Sequence, residues 1–263
     1  MTTLYLHIGI SKTGTSFLQN FLFHNREKLL EKGYLYPISG TRLSCQNILT
    51  RYAHTQLVVA LFKQLNHRGN LVDNLDIWET LKNEIKTAQP QNVIISTENF
   101  TAYPKCHNPD VIAQLKKCLE EYETKIVVYL RRQDDFLSSY YCQRMRNIGG
   151  GINAAEKTDI NEFIREYKYQ ADYYSVLELW KNSFGIENII VRAFEKEQMK
   201  KGSLLDDFFE TLEFRYDVNE FRFIESINNS PSLKTIRTIA LLEKNIQKLQ
   251  FLNIFQKHDF SKL

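Results

Sequence analysis

Leu4-Tyr5-Leu6-His7-Ile8-Gly9-Ile10-Ser11-Lys12-Thr13-Gly14-Thr15-Ser16-Phe17-Leu18 is the stretch that decides how the chain is read. Its first five residues are apolar or aromatic, and a glycine-bearing turn follows, so they read as a buried strand. From Thr15 to about Lys32, Phe17, Leu18, Phe21, Leu22, Leu29 and Leu30 recur on one helical face, and Gly33 supplies the stop. A buried strand that passes through a glycine turn into a helix is the opening unit of an α/β sheet.

The alternation continues along the chain. Gln46 to Leu65 and Leu75 to Ala88 read as helices, and Pro90 interrupts the chain before the strand Asn92-Val93-Ile94-Ile95-Ser96. A helix opened by Pro109 runs to about Glu121 and precedes the strand Lys125-Ile126-Val127-Val128-Tyr129-Leu130. A helix from Asp134 to Arg146, a loop at Gly149-Gly150-Gly151 and helices near Ile160–Tyr167 and Tyr173–Phe184 come next. Asn188-Ile189-Ile190-Val191 reads as a short strand, and Ser203 to Leu212 and Pro231 to Gln250 as closing helices. Apolar strands between helices predict an α/β fold with a parallel sheet of about four to five strands, covered by helices on both faces. With no repeat or low-complexity linker, a single domain over residues 1–263 is expected, with a helical insertion at about 37–90 and a loop and helical segment at about 147–175.

Composition excludes several classes. Hydrophobic residues at 43% and charged residues at 25% are ordinary for a globular chain, which rules out disorder and collagen-like repeats. No apolar run approaches the ~18–20 residues of a spanning helix. Lys and Arg number 34 against 31 Asp and Glu, too balanced to imply nucleic-acid binding, so any anion must be held by a local cluster. Cys45, Cys106, Cys118 and Cys142 form no CxxC pair and read as free thiols; Cys106-His107 lacks the second half of a zinc site, so no metal is expected. Met1-Thr2-Thr3-Leu4 enters a strand without a secretory pattern, and a cytoplasmic location is the expectation. Ser261-Lys262-Leu263 matches a peroxisomal address, but three terminal residues recur by chance and are given no weight.

In a parallel sheet, ligands bind beyond the carboxyl ends of the strands. After the first strand, Gly9 and Gly14 allow a tight turn, and the helix N-terminus offers unpaired N–H groups to an anion. Lys12 adds a charge, and Thr13, Thr15 and Ser16 add hydroxyls. The loop is phosphate-cradling in composition, yet it is not the nucleotide-triphosphatase pattern, because Lys12 precedes the second glycine. After the third strand, Arg131 offers a guanidinium fork, and Ser139 follows eight residues on, two turns into the next helix. Asp134 or Asp135 is the alternative partner for Arg131. After the second strand comes Ser96-Thr97-Glu98-Asn99, which puts a carboxylate at the same edge.

His7 to Gln19 and Tyr129-Leu130-Arg131-Arg132-Gln133-Asp134 together resemble the bacterial branch of the sulfotransferases that use 3′-phosphoadenosine 5′-phosphosulfate (PAPS). That family carries a Lys-Thr/Ser-Gly-Thr loop, similar to Lys12-Thr13-Gly14-Thr15, and a strand-end arginine with a serine eight residues later, similar to Arg131 and Ser139. The resemblance spans about residues 3 to 245 and implies a three-layer, P-loop-like fold. It implies PAPS as donor and 3′,5′-ADP (PAP) as product, with no metal. Lys12 and Thr13, Gly14, Thr15 and Ser16 would hold the 5′-phosphosulfate, and Arg131 and Ser139 the 3′-phosphate. Lys12 would also stabilise charge on the bridging oxygen.

The acceptor, a hydroxyl or amine on a carbohydrate, lipid or small metabolite, needs a base. Glu98 is the candidate for that role. His7 competes, but a histidine inside a strand is more often a hydrogen-bonded core residue. Residues 37–90 and 147–175 are expected to shape the acceptor pocket. Two departures bear on the donor clamp: Phe194-Glu195 stands where many relatives have Tyr-Glu, and the late Arg-Lys-Gly segment of the animal cytosolic enzymes has no counterpart. Two alternatives stay open, a non-catalytic relative that binds a sulfated or phosphorylated ligand, and a P-loop kinase or nucleotide hydrolase.

Overall fold

In the computed structural model, which describes residues 1–43, 51–65, 75–146 and 160–222, β1 (Thr3–His7) is the central strand of a five-stranded sheet. The others are β2 (Tyr34–Leu35), β3 (Asn92–Ser96), β4 (Glu123–Leu130) and β5 (Ile189–Ala193). Their order is β2-β3-β1-β4-β5, and every pairing is parallel. His7 stands level with Ser96 on one side and Val127 on the other. The helices are α1 (Thr15–His24), α2 (Arg26–Glu31), α3 (Thr55–Leu65), α4 (Leu75–Ala88), α5 (Asn99–Ala102), α6 (Pro109–Cys118), α7 (Gln133–Arg146), α8 (Ile160–Tyr167), α9 (Tyr173–Phe184) and α10 (Leu204–Thr211).

The described residues fall into two compact units. The first, within 1–132 and 172–222, holds the sheet with α1 to α6, α9 and α10. Side chains alternate across a strand, so burial of both parities means that both faces are covered. Ile94, Val127 and Tyr129 pack with Leu18, Phe21 and Leu22 of α1 and Phe208 and Phe209 of α10. Leu4, Leu6, Ile95, Ile126 and Val128, of the other parity, are equally buried, and α9 lies against β4 and β5. Trp78 and Trp180 are buried packing residues. The second unit, within 133–171, pairs α7 with α8 around Tyr141, Cys142, Phe163 and Tyr167.

Three local outcomes differ from the sequence reading. The helix expected from Thr15 to Lys32 is two helices, because buried Asn25 interrupts it. Its Nδ2 donates to the carbonyls of Phe21 and Arg222, both at 3.0 Å, and its Oδ1 accepts from Arg222 N at 2.8 Å. β2 was not anticipated; at two residues it carries no periodicity, and it is held by pairing with β3 and by Tyr34, whose hydroxyl donates to Leu212 O at 2.9 Å. The helix expected from Gln46 begins, within the described residues, at Thr55. Gly149-Gly150-Gly151, Pro231 to Gln250, Cys45 and Ser261-Lys262-Leu263 lie outside the described residues. Among the described residues, no helix is long and apolar enough to cross a membrane.

Asp207 of α10 ties the far edge of the sheet together. Only 1% exposed, it accepts from Tyr129 Oη at 2.7 Å, Arg192 Nε at 2.9 Å and the Lys200 amide at 2.9 Å. Burial alone would raise its pKa, but the bonds from Arg192, Tyr129 and the Lys200 amide outweigh that and hold the carboxyl below its ordinary range. A carboxylate with a depressed pKa contributes stability above its unfolded pKa and loses it as pH falls. Asp207→Asn should therefore lower unfolding stability at pH 7 by about 3 kcal/mol. In urea titrations, the gap to wild type should close below about pH 4.

Candidate functional site

The loop after β1 remains part of the sheet before it turns away. Ile8 N donates to Val127 O at 3.0 Å, Tyr129 N to Gly9 O at 2.7 Å, and Ile10 N to Tyr129 O at 3.1 Å. Lys12 (φ 69°) and Gly14 (φ 75°) are both left-handed, and the Thr13 hydroxyl pins the turn by donating to Ile10 O at 2.7 Å. Left-handed residues on either side of Thr13 turn the chain tightly, as in loops whose backbone N–H groups receive anions. Positive φ is unfavourable for a lysine, and such outliers gather at functional sites. Gly14 stands at the start of α1 without a side-chain cap, so the first-turn N–H groups of that helix keep their polarity toward the loop. A Cβ on Gly14 would lie 2.7 Å from Leu204 Cδ2.

The loop after β3 lies beside it. Thr97 N donates to His7 O at 3.0 Å, and Glu98 follows at the start of α5. Gly9 (φ 104°) passes so close that a Cβ there would lie 3.0 Å from both Cα and Cβ of Glu98. Thr101 bridges the two loops through its hydroxyl, 3.1 Å from Ile8 O and 3.0 Å from Glu98 O. Glu98 is half-buried, and its Oε2 accepts from Gln19 Nε2 at 2.9 Å.

After β4, the guanidinium of Arg131 turns to the first loop. Its Nη1 donates to Lys12 O at 3.2 Å, and its own carbonyl accepts from the Tyr173 hydroxyl at 2.8 Å. Burial pushes the Tyr173 hydroxyl up, keeping it a neutral donor. The chain leaves β1 toward β2 and β3 but leaves β4 toward β5, so these two loops diverge at the topological switch point where open parallel sheets bind ligands. Ser139 is half-buried on α7, in the second unit.

His7 is a core residue. It is 1% exposed, burial pulls its pKa down to about 3, and its ring meets Phe208 and Tyr129 edge-on. Its Nδ1 lies 2.8 Å from Ser96 Oγ. Sequence reasoning missed three residues that shape this edge: Gln19, His54 and Tyr173. A polar residue beside Leu18, Phe21 and Leu22 on the apolar face of α1 was the available signal for Gln19. His54 had none. Among the described residues, no group of His, Cys, Asp and Glu side chains gathers as a metal site. Cys106 and Cys142 are buried and Cys118 is half-buried, and burial pushes the Cys106 thiol up to about 12.

The arrangement thus has a donor-rich loop, a guanidinium bonded to it and a carboxylate packed on its first glycine. It can hold a phosphate- or sulfate-like anion and take a proton beside it. No family model matches the chain. An uncharacterized protein of Archaeoglobus fulgidus is 32% identical over 154 residues, which make up 58% of this chain and only 38% of that protein. Among solved structures, a sulfotransferase from Alicyclobacillus acidocaldarius is similar with a TM-score of 0.49 and 15% identity over 98% of both chains. The sulfotransferase domain from the curacin biosynthetic pathway gives 0.44 and 10% over 83% of this chain and 76% of that one. Neither likeness assigns a role to a residue of this chain.

Gly9→Ala should displace Glu98 and lower stability by about 1–3 kcal/mol, because the new methyl meets backbone at a left-handed position. Chemical denaturation of the two proteins measures this.

Proposed function

We propose that the chain is a sulfotransferase that moves a sulfuryl group from PAPS to a hydroxyl or amine of an acceptor. The observation that carries this reading is the meeting of Arg131 with the Lys12 loop at the switch point, with Glu98 packed on Gly9 at the same edge. The residues fit such a donor: uncapped first-turn N–H groups of α1, the Lys12 ammonium and the Arg131 guanidinium are all hydrogen-bond donors.

When bound, PAPS supplies the electrophilic sulfur and the phosphate on which it leaves. In this reading Lys12, with the amides of Thr13 to Ser16, binds the phosphosulfate and neutralises charge as it builds on the bridging oxygen. The Thr13 hydroxyl serves the turn itself. Arg131 binds the 3′-phosphate through guanidinium N–H groups beyond the one given to Lys12 O. Glu98 takes the acceptor's proton. His7, buried and neutral, is left to the core.

Lys12→Ala should weaken binding of 3′,5′-ADP and lower transfer by ~10²–10³. Glu98→Gln should lower transfer by ~10²–10⁴ while leaving 3′,5′-ADP binding intact. Calorimetry with 3′,5′-ADP and labelled-sulfate transfer from PAPS onto host extracts measure the two effects; full transfer by Glu98→Gln would remove Glu98 as the base. Arg131→Ala should lose the preference for 3′,5′-ADP over 5′-AMP, worth about 2–5 kcal/mol for a desolvated charge contact. An unchanged preference in calorimetry would contradict the assignment of Arg131.

A further inference from the structure

The end of β3 is held by a chain of buried polar groups. Gln19 Nε2 donates to Glu98 Oε2 at 2.9 Å and to Ser96 Oγ at 3.3 Å. The Ser96 hydroxyl meets His7 Nδ1 at 2.8 Å, and its amide donates to His54 Nδ1 at 3.1 Å. His54 Nε2 lies 2.9 Å from Pro37 O, so that nitrogen carries the hydrogen and Nδ1 accepts. The remaining polarities follow by assignment. The Gln19 amide gives one hydrogen to Ser96 Oγ and one to Glu98, and the Ser96 hydroxyl donates to His7 Nδ1. Both histidines are neutral, since burial lowers His7 to about 3 and His54 to about 4.

Gln19 is costly where it stands. It is 1% exposed, and among the described residues its Oε1 is buried without a hydrogen-bond partner. A buried carbonyl left unbonded lowers stability, and a methionine of equal length would avoid that loss. The side chain is therefore accounted for by its two N–H contacts. The reverse amide orientation would set its oxygen against the Glu98 carboxylate.

We propose that Gln19 is a positioning residue for Glu98: it occupies Oε2 and leaves Oε1 as the oxygen that takes the acceptor's proton. This rests on the sulfuryl-transfer reading. In the step, the acceptor O–H bond breaks and its proton binds Oε1. The acceptor oxygen bonds to sulfur, and the electron pair of the broken sulfur–oxygen bond stays on the phosphate of 3′,5′-ADP.

The test uses Gln19→Met, which keeps the length and removes both N–H groups. In protein carrying δ-¹³C glutamate, the Glu98 carboxyl signal is identified by its absence in Glu98→Gln. That signal should shift in Gln19→Met and, by less, in Ser96→Ala, while the melting temperature of Gln19→Met does not fall. Ser96→Ala keeps the measurement decisive should Gln19→Met fail to fold. At saturating PAPS, the rate of labelled-sulfate transfer to one host extract should fall about tenfold in Gln19→Met with KM for PAPS unchanged. A Glu98 signal unmoved in the folded variants, or a wild-type transfer rate in Gln19→Met, overturns the proposal. Calorimetry of the wild-type chain with 3′,5′-ADP separates the two claims: no binding there overturns the donor reading, while the carboxyl signal still decides the contact with Gln19.

Discussion

Past its last strand residue, β1 goes on exchanging hydrogen bonds with β4, and that last residue is also tied to the chain beyond β3. Ile8, Gly9 and Ile10 pair with Val127 and Tyr129 of β4, and His7 O receives the amide of Thr97 just beyond β3. Main-chain bonds of this kind leave little freedom in the loops they fix. The positions of Lys12, Glu98 and Arg131 are thereby set by one strand and its two partners. The side-chain bonds described above, Arg131 to Lys12 O and Thr101 to Ile8 O, act on a frame already fixed by the backbone.

Local concessions gather at this edge. Lys12 takes a backbone conformation that glycine would adopt more readily, Gln19 buries a carbonyl without a partner among the described residues, and His7 buries Nε2 likewise. Each is unfavourable where it stands. The nearby core offsets them with ordinary material: Leu18, Phe21, Ile94, Val127, Phe208 and Phe209 are fully buried in one cluster. A sequence that breaks local rules at one end of its sheet and obeys them in the adjoining core has the pattern expected of a working surface.

Much of this was legible in the amino-acid sequence. Strands such as Asn92–Ser96 are short apolar runs between turn residues, and α9 shows its apolar face through Val176, Trp180 and Phe184, so period alone places them. The glycine-bearing turn after β1 was legible too, and Gly9 and Gly14 take the positive φ that such a turn requires. What stayed hidden depended on contacts between residues distant in sequence. Asn25 breaks a helix because Arg222 supplies its partners, and β2 exists because β3 lies beside it. His54 reaches Ser96 from 42 residues away, and Tyr173 reaches Arg131 from the same separation. No periodicity reports such pairs. His7 illustrates the converse: its residue type suggested chemistry, and the structure buries its ring in the sheet against Tyr129 and Phe208.

Helix α10 has one more effect. Its first residue, Leu204, fills the space beside Gly14, and three residues later Asp207 is moored to β4 and β5 by Tyr129 and Arg192. The loop after β1 is thus braced by a helix anchored to the carboxyl ends of β4 and β5. A cradle built in advance surrenders little conformational entropy when a ligand arrives, so more of the contact energy appears as affinity.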